Sequence, residues 1–507
     1  MWTVALWASF LNLLNFNLYP VFRPEVAATL VGLVLVGSLL GWVLQLARPR
    51  LGFLVAATLA AVMIDLNSPI ERMEFLALWA VLAVAFFFAE RALLKITFAA
   101  FAAVLLFQFV ALTSGIGRPA PRANAAENLQ AASRPGSTRP AIVHLLLDSY
   151  LGLDAMALGP RDYRDLRAEH VAFFLRHGFQ FYPRAYSRYT RTMDSLPGLF
   201  SYGEAPPVVH TVNSHYAVPE QLPYFADLDQ HGYRISAAIP AYFDLCRNQR
   251  LTRCRSWESS ALSSMLGSEL GVFDRAKIFA FTLLRLTNAP TRVAAHLQIG
   301  ANGLFGTDTR WPFDRSQLYH LASLRELDRF IADLDDLSAG EVRFAHFLLP
   351  HSPYGLTADC NVKHEGEWIN EHGPSPEAAR EAAYADQVRC LKRRLGTMMD
   401  ALEKTPPGRE ASVLIRGDHG SRIAPTHPFV GGPELSGRQK IMLHSTMFAI
   451  RVPGEAPGEI PGPHALDELM ADFRARDFAA APRPAAAPAR VLVMGAPGFQ
   501  PLAGFGS

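Results

Sequence analysis

Two patterns of apolar and polar positions divide the chain. Up to Thr113 the apolar residues run almost unbroken, in the stretches Trp2–Phe22, Val26–Ala47, Leu51–Ile64, Phe75–Ala89 and Ile96–Thr113. Crossing the hydrocarbon core of a bilayer takes roughly 17–25 such residues. The first, second and fifth stretches are long enough and the third and fourth are short; folding those two as a shallow hairpin still leaves an odd number of spans. From Ala141 onward short apolar runs alternate with amphipathic ones. They predict strands over 141–147, near Arg234–Ile239, over 342–349, over 412–415 and near Thr446–Val452, and helices over Arg161–His177, Ser316–Leu337 and Pro376–Glu403. Such alternation predicts an α/β fold with a mainly parallel sheet flanked by helices.

The expected organisation is a transmembrane domain of about five helices over 1–114, a flexible linker over 115–139, an extracytoplasmic domain over 140–455 and a carboxyl-terminal extension over 456–507. The linker is rich in Pro, Ala, Ser and Arg, as a solvated tether is. The extension is rich in Pro, Gly and Ala and carries one short helix candidate, His464–Arg476. Arg48, Arg50, Arg91 and Lys95 lie in the loops after the second and fourth runs. The excess of basic residues on the cytoplasmic side then puts the amino terminus in the cytoplasm and everything after Thr113 outside. No basic leader precedes the first run and further spans follow it, which speaks against a cleaved signal peptide. The cysteines (Cys246, Cys254, Cys360 and Cys390) all lie beyond the membrane runs. An even number outside a membrane predicts disulfides, and sequence proximity favours Cys246–Cys254 and Cys360–Cys390. A net charge of +2 gives no reason to expect nucleic acid.

Candidate chemistry clusters where the buried strands end. The run 141–147 leads into Asp148, the run 342–349 leads through Pro350 into His351, and the run 412–415 leads through Arg416-Gly417 into Asp418-His419. Ligands at the carboxyl ends of parallel strands gather along one edge of an open sheet. Asp148 there either caps a helix or binds a cation. Asp418 and His419, flanked by glycine, offer an oxygen and a nitrogen suited to zinc or manganese, with calcium or magnesium as further options. The segment Tyr189-Thr-Arg-Thr-Met-Asp-Ser-Leu-Pro-Gly-Leu-Phe-Ser201 crowds hydroxyls ahead of an apolar run that starts or caps a helix. A hydroxyl at a helix amino terminus faces unpaired N–H groups that favour an anion, and a neighbouring divalent cation makes it nucleophilic. His351 could hold a second metal, bind phosphoryl oxygens or protonate a leaving group. His427 and Arg422 are lesser candidates for a second site or for substrate contact, and His346, inside its strand, reads as a satisfied core residue.

Asp148 after an apolar strand, Thr192-x-x-Ser195, His351 with Pro353, and Asp418-His419-Gly420 stand in the order seen in the alkaline phosphatase/sulfatase superfamily. The chain most resembles the membrane-anchored branch that includes lipoteichoic acid synthases and phosphoethanolamine transferases. That branch places about five amino-terminal spans and a linker before a sulfatase-like domain. The resemblance implies Thr192 as nucleophile and metal contact, with Ser195 beside it and Thr190 as runner-up. It further implies Asp148, Asp418 and His419 as metal ligands and His351 on the substrate side. No Cys/Ser-x-Pro-x-Arg motif falls at the nucleophile position, which disfavours a formylglycine sulfatase.

The implied reaction is metal-dependent transfer of phosphoglycerol or phosphoethanolamine from a phospholipid donor to an envelope glycan or lipid, through a threonine-linked intermediate. The implied place is the bacterial cytoplasmic membrane, with the catalytic domain in the periplasm. The same site with water as acceptor would make a phosphodiesterase, phosphatase or atypical sulfatase. A non-catalytic glycan-binding envelope protein is the reading from a different class.

Overall fold

The computed structural model describes residues 2–47, 52–67, 72–114, 138–203, 209–213, 216–247, 249–285, 318–371, 375–423, 435–485, 490–495 and 498–501. The linker expected over 115–139 lies outside them apart from its last two residues, and so does His427. The chain divides into two compact units. One holds Met1–Arg122, Ala261–Gln317 and His364–Glu367, and the other holds Ala123–Ser260, Leu318–Lys363 and Trp368–Ser507.

In the first unit the apolar runs are helical: α1 (Trp2–Phe16), α2 (Pro24–Ala47), α3 (Gly52–Asn67) and α4 (Arg72–Ser114). The helix α4 breaks at Ala89 (φ −134°, ψ 32°), so its halves correspond to the fourth and fifth runs. Two segments, Pro24–Val43 and Ala92–Ala111, are long and apolar enough to cross a membrane, whereas Thr3–Phe16 and Met73–Ala89 are shorter. The first run therefore yields less helix than its composition predicts. Leu18 takes a positive φ of 53° and Pro20 follows, and the residue before a proline is driven out of helical backbone. Small residues let α3 and α4 approach: Ala56, Ala57 and Ala60 pack against Ala83 and Phe86.

The second unit is built on a sheet whose described strands are β1 (Ile142–Leu147), β2 (Gln180–Phe181), β6 (Arg234–Pro240), β7 (Arg253–Trp257), β8 (Glu341–Phe347), β9 (Ser412–Gly417), β10 (Phe448–Arg451) and β11 (Gly458–Glu459). The short strands β3 (Arg184–Tyr186), β4 (Val209–Asn213) and β5 (Tyr216–Pro219) lie outside it. The order is β11-β2-β10-β9-β1-β8-β6-β7. From β9 to β7 neighbouring strands are parallel, and β10 is antiparallel to both of its neighbours. The fold is thus the α/β class expected, with a mostly parallel sheet and helices around it. Every residue of β1 is buried, which explains a run without polar alternation: a parallel strand in mid-sheet is covered on both faces.

This order places β1 between β9 and β8, with β6 next, so four carboxyl ends line up on one edge. The helices α5 (Leu153–Leu158) and α6 (Arg161–Arg176) follow β1, and α7 (Thr192–Phe200) and α8 (Pro223–Gln230) precede β6. The apolar side of α7, Leu196, Leu199 and Phe200, shares a core with Ile142, Leu146 and Phe344 of the sheet. Burial of each such side chain contributes about 1.5–3 kcal/mol, so α7 is pinned and its first residue, Thr192, has a fixed position. Helix α9 (Val272–Arg285) belongs to the first unit, and α10 (Tyr319–Ala332) and α11 (Glu377–Leu402) belong to the second. Both expected disulfides are formed: Cys246–Cys254 ties the loop after β6 to β7, and Cys360–Cys390 ties the segment after β8 to α11.

Candidate functional site

Asp148, Asp418 and His419 come together as predicted, although 270 positions separate the first from the second. One ligand atom from each lies within 4.8 Å of the others, and all three residues are buried. Backbone geometry aims them. Ser149, at a φ of 62°, turns the chain after β1 so that its N–H donates to Asp418 Oδ1 at 3.0 Å. The same oxygen accepts the His419 N–H at 2.9 Å. Asp418 Oδ2 is left buried without a hydrogen-bond partner among the described residues. An orphaned carboxylate oxygen is costly unless something positive meets it.

The imidazole of His419 is set by its far nitrogen. Nδ1–H donates to the Gly420 carbonyl at 2.7 Å. The lone pair therefore sits on Nε2, which lies 3.4 Å from Asp418 Oδ2 and 3.6 Å from Asp148 Oδ1. A backbone carbonyl fixing the tautomer of a ligating histidine is a recurrent feature of metal sites. Thr192 opens α7, and its hydroxyl is 3.2 Å from Asp148 Oδ2 and 3.5 Å from His419 Nε2. Two carboxylates, one imidazole lone pair and one hydroxyl thus face a common point. The donor set and the orphaned Asp418 oxygen fit a divalent cation.

Ser195, one turn into α7, points elsewhere. Its hydroxyl donates to the Asp418 carbonyl at 2.7 Å and lies 3.1 Å from the Ser187 hydroxyl. It ties the helix to the exit of β9. Thr190 is buried, but the hydroxyl that reaches the cluster is that of Thr192.

His351 has both ring nitrogens engaged. Nδ1–H donates to the Ser352 carbonyl at 2.5 Å, and Nε2 accepts from Arg422 Nη2 at 2.9 Å. Arg422 is in turn held by Glu371 Oε1 at 2.8 Å. In this arrangement His351 and Glu371 both hold the Arg422 guanidinium. The burial of Asp148 pushes its carboxyl up, but the electrostatic pull of the surrounding His351, His419 and His346 side chains and of the Arg422 guanidinium outweighs this and brings it to about 2.

Four functional neighbours escaped the sequence reading. Glu371 is one. Tyr242, just past β6 on the same sheet edge, hydrogen-bonds Thr192 through its hydroxyl. Burial, then the carboxylates of Asp148 and Asp418, push that phenol well above its ordinary range. His346 was expected to be a satisfied core residue. It is fully buried, yet neither ring nitrogen has a hydrogen-bond partner among the described residues, and burial holds it neutral, down at about 4. Its ring packs edge-on to Tyr242 at 6.1 Å. Arg416, the largest fully buried side chain, donates Nε–H to His144 Nε2 at 2.9 Å and lies over the Phe200 ring at 5.0 Å. Burial brings its guanidinium down to about 9. An arginine inside the apolar run of β9 was the available signal; its partner His144 is 272 positions away.

No protein-family model matches the sequence, and no curated protein matches it. Solved structures do. The phosphonate monoester hydrolase of Agrobacterium radiobacter is 12% identical, covering 68% of this chain and 74% of its own, with a TM-score of 0.40. A protein in the alkaline phosphatase superfamily from Vibrio parahaemolyticus is 14% identical, covering 72% and 76%, with a TM-score of 0.40. The C-terminal periplasmic domain of EcEptC from Escherichia coli is 10% identical, covering 73% and 94%, with a TM-score of 0.39. Likenesses this distant assign no activity, and the chemistry of the site rests on its own geometry.

Proposed function

We propose that the protein is a membrane-anchored enzyme that moves a phosphoryl headgroup from a phospholipid to a hydroxyl of an envelope glycan or lipid, through a covalent intermediate on Thr192. The observation that carries this reading is the convergence of Asp148, Asp418, His419 and the Thr192 hydroxyl at the amino end of a pinned helix.

When bound by these four residues, a divalent cation, zinc or manganese by the mixed oxygen and nitrogen donors, supplies positive charge that favours an ionised hydroxyl and an anionic phosphoryl group. The chain's own groups do the rest. Asp148 Oδ2 takes the hydrogen bond from Thr192 and orients its oxygen. The unpaired N–H groups at the start of α7 face the equatorial phosphoryl oxygens. Arg422, braced by Glu371 and His351, adds a fixed cation whose charge is already felt at Asp148. In the first displacement the Thr192 Oγ–P bond forms and the P–O bond to diacylglycerol breaks, the leaving oxygen taking a proton. In the second, the acceptor hydroxyl forms its bond to phosphorus as the Thr192 Oγ–P bond breaks, the acceptor losing its proton and Thr192 regaining the one it gave up in the first. Electrostatic positioning carries most of the acceleration in such a reaction.

The surroundings support the extracytoplasmic placement. Apolar helices α2 and the second half of α4 are of spanning length, the basic residues follow the second and fourth runs, and both disulfides belong to an oxidising compartment. The experiment is to reconstitute the full-length protein in vesicles carrying headgroup-labelled phosphatidylethanolamine and phosphatidylglycerol. A mass increment of one headgroup phosphate on the peptide bearing Thr192, absent from Thr192→Ala, is the expected result. Undiminished turnover by Thr192→Ala overturns the assignment, and label recovered only as free headgroup makes water the acceptor.

A further inference from the structure

The first turn of helix α9 carries its polarity inside out, whereas further along Ile278, Phe279 and Leu283 are buried and Lys277 is exposed. In the sequence Val-Phe-Asp-Arg-Ala-Lys-Ile-Phe-Ala-Phe-Thr-Leu-Leu-Arg, Asp274 is 8% exposed and the Arg275 side chain 13%, whereas Phe273 is 80% exposed and Val272 37%. A helix at an aqueous surface turns its charges out and its aromatic residues in. The inversion is fixed by specific bonds, all within the unit that contains α1–α4.

Arg275 Nη1 pairs with Glu25 Oε1 at 3.1 Å, and the buried Glu25 also accepts the Tyr19 hydroxyl at 2.5 Å. The remaining Arg275 donors reach the Leu270 and Ser268 carbonyls at 3.0 and 2.8 Å. On the neighbouring position Asp274 Oδ2 faces His364 Nδ1 at 3.0 Å. Phe279 meets Tyr19 and Phe10 edge-on at 4.9 and 5.5 Å, and the Leu262 N–H donates to Asn17 Oδ1 at 3.2 Å. Apart from Phe10, in the middle of α1, these α1 and α2 partners lie in or beside the turn that joins the two helices. Phe22 in that turn is 85% exposed. From there the exposed Val31, Leu35 and Leu39 continue the apolar surface along α2, whose segment Pro24–Val43 is of spanning length.

We infer that α9 is an interfacial helix whose exposed face is covered by the phospholipid bilayer itself. Val272 and Phe273 enter the acyl boundary on the side of the α1–α2 turn, with Phe22 at the same level. Lys277, 54% exposed and 3.8 and 3.9 Å from the Asp274 and Glu365 carboxylates, lies at the level of the phosphates, as a basic residue beside apolar anchors does at a membrane surface. The chain thus makes a second membrane contact from a segment inserted between β7 and α10, more than a hundred residues after α4 in the sequence.

The test uses the full-length protein in vesicles of phosphatidylethanolamine and phosphatidylglycerol. The four native cysteines are all in disulfides, so Phe273→Cys takes a single spin label. Collisions with oxygen should exceed those with a water-soluble nickel chelate several-fold at position 273, and the order should reverse for Arg161→Cys, whose parent side chain is 87% exposed. Nickel accessibility at 273 equal to that at 161 overturns the inference. If the cysteine variant fails to fold, hydroxyl-radical footprinting of the unaltered protein decides. Protection of Phe273 in vesicles supports the membrane contact, and modification at the rate of an exposed phenylalanine refutes it. Neither readout involves turnover, so this inference and the proposed reaction fail separately.

Discussion

Ser195→Ala separates the two hydroxyls that the sequence left side by side. The Ser195 side chain is 3% exposed and donates to the Asp418 carbonyl at 2.7 Å. Removing it leaves a buried carbonyl one partner short, a loss of roughly 1–3 kcal/mol. A kcal/mol shifts the melting temperature by about 2–4 °C in a domain of roughly 150–250 residues and by less in this larger unit, so melting should fall by about one to five degrees. If the whole of that energy were lost in the transition state, the rate would fall by at most about a hundredfold, since ~1.4 kcal/mol is a factor of ten. Thr192→Ala has a different signature. It deletes the attacking atom while its neighbours Asp148 and His419 remain, so headgroup transfer should drop to background with little change in melting. The assay is labelled-headgroup turnover in vesicles, with metal content and melting temperature measured on each variant. If Ser195→Ala is as inactive as Thr192→Ala while folded and metal-loaded, the nucleophile has been assigned to the wrong hydroxyl.

Other outcomes follow from packing and charge. A Cβ on Gly420 would sit 2.1 Å from the Met442 carbonyl oxygen and 2.8 Å from that of Leu443. Gly420→Ala must therefore shift the backbone that sets the His419 tautomer, and titration calorimetry with manganese or zinc should show a clear loss of affinity together with about 1–3 kcal/mol of lost stability. Affinity equal to wild type would show that the Gly420 carbonyl does not position the ligand. Acid should destabilise the fold well above the carboxylate range. Burial lowers His170 to about 4 and His320 to about 3, so below pH 6.5 the unfolded chain binds protons that the native one refuses. Stability should fall steadily from pH 6.5 towards 4, and melting temperatures flat across that interval would contradict the buried, neutral state of both rings. Asp148 acts lower down: its depressed carboxyl adds stability above its ordinary value of 3.8, lost as pH falls towards 2.

What the sequence revealed tracks burial. The strands β1, β8 and β9 were legible because parallel strands covered on both faces are written as unbroken apolar runs, and their ends pointed to Asp148, His351, Asp418 and His419. Helix α7 was only suggested, since its nine residues include Pro197 and give little periodicity. The strands β2 and β3, two and three residues long, are too short for any alternation to register. Tyr242 and Glu371 reach the site from loops, where position in the chain says nothing of direction. His351 was recognised as a site residue, but its engagement by Arg422 depends on a loop contact that no local pattern encodes. The inverted first turn of α9 was invisible for a related reason: Asp274 and Arg275 look like a solvated face until His364 and Glu25 are seen to hold them inward.

Asp148, Thr192, Asp418 and His419 should share one cation. Diffraction from crystals of the full-length protein soaked in zinc, recorded on both sides of the zinc absorption edge, tests it most directly. An anomalous peak is expected at bonding distance, about 2.0–2.2 Å, from the His419 Nε2 and the carboxylate oxygens, beside the Thr192 hydroxyl. A peak bonded to other residues, with these four left unligated, would contradict it.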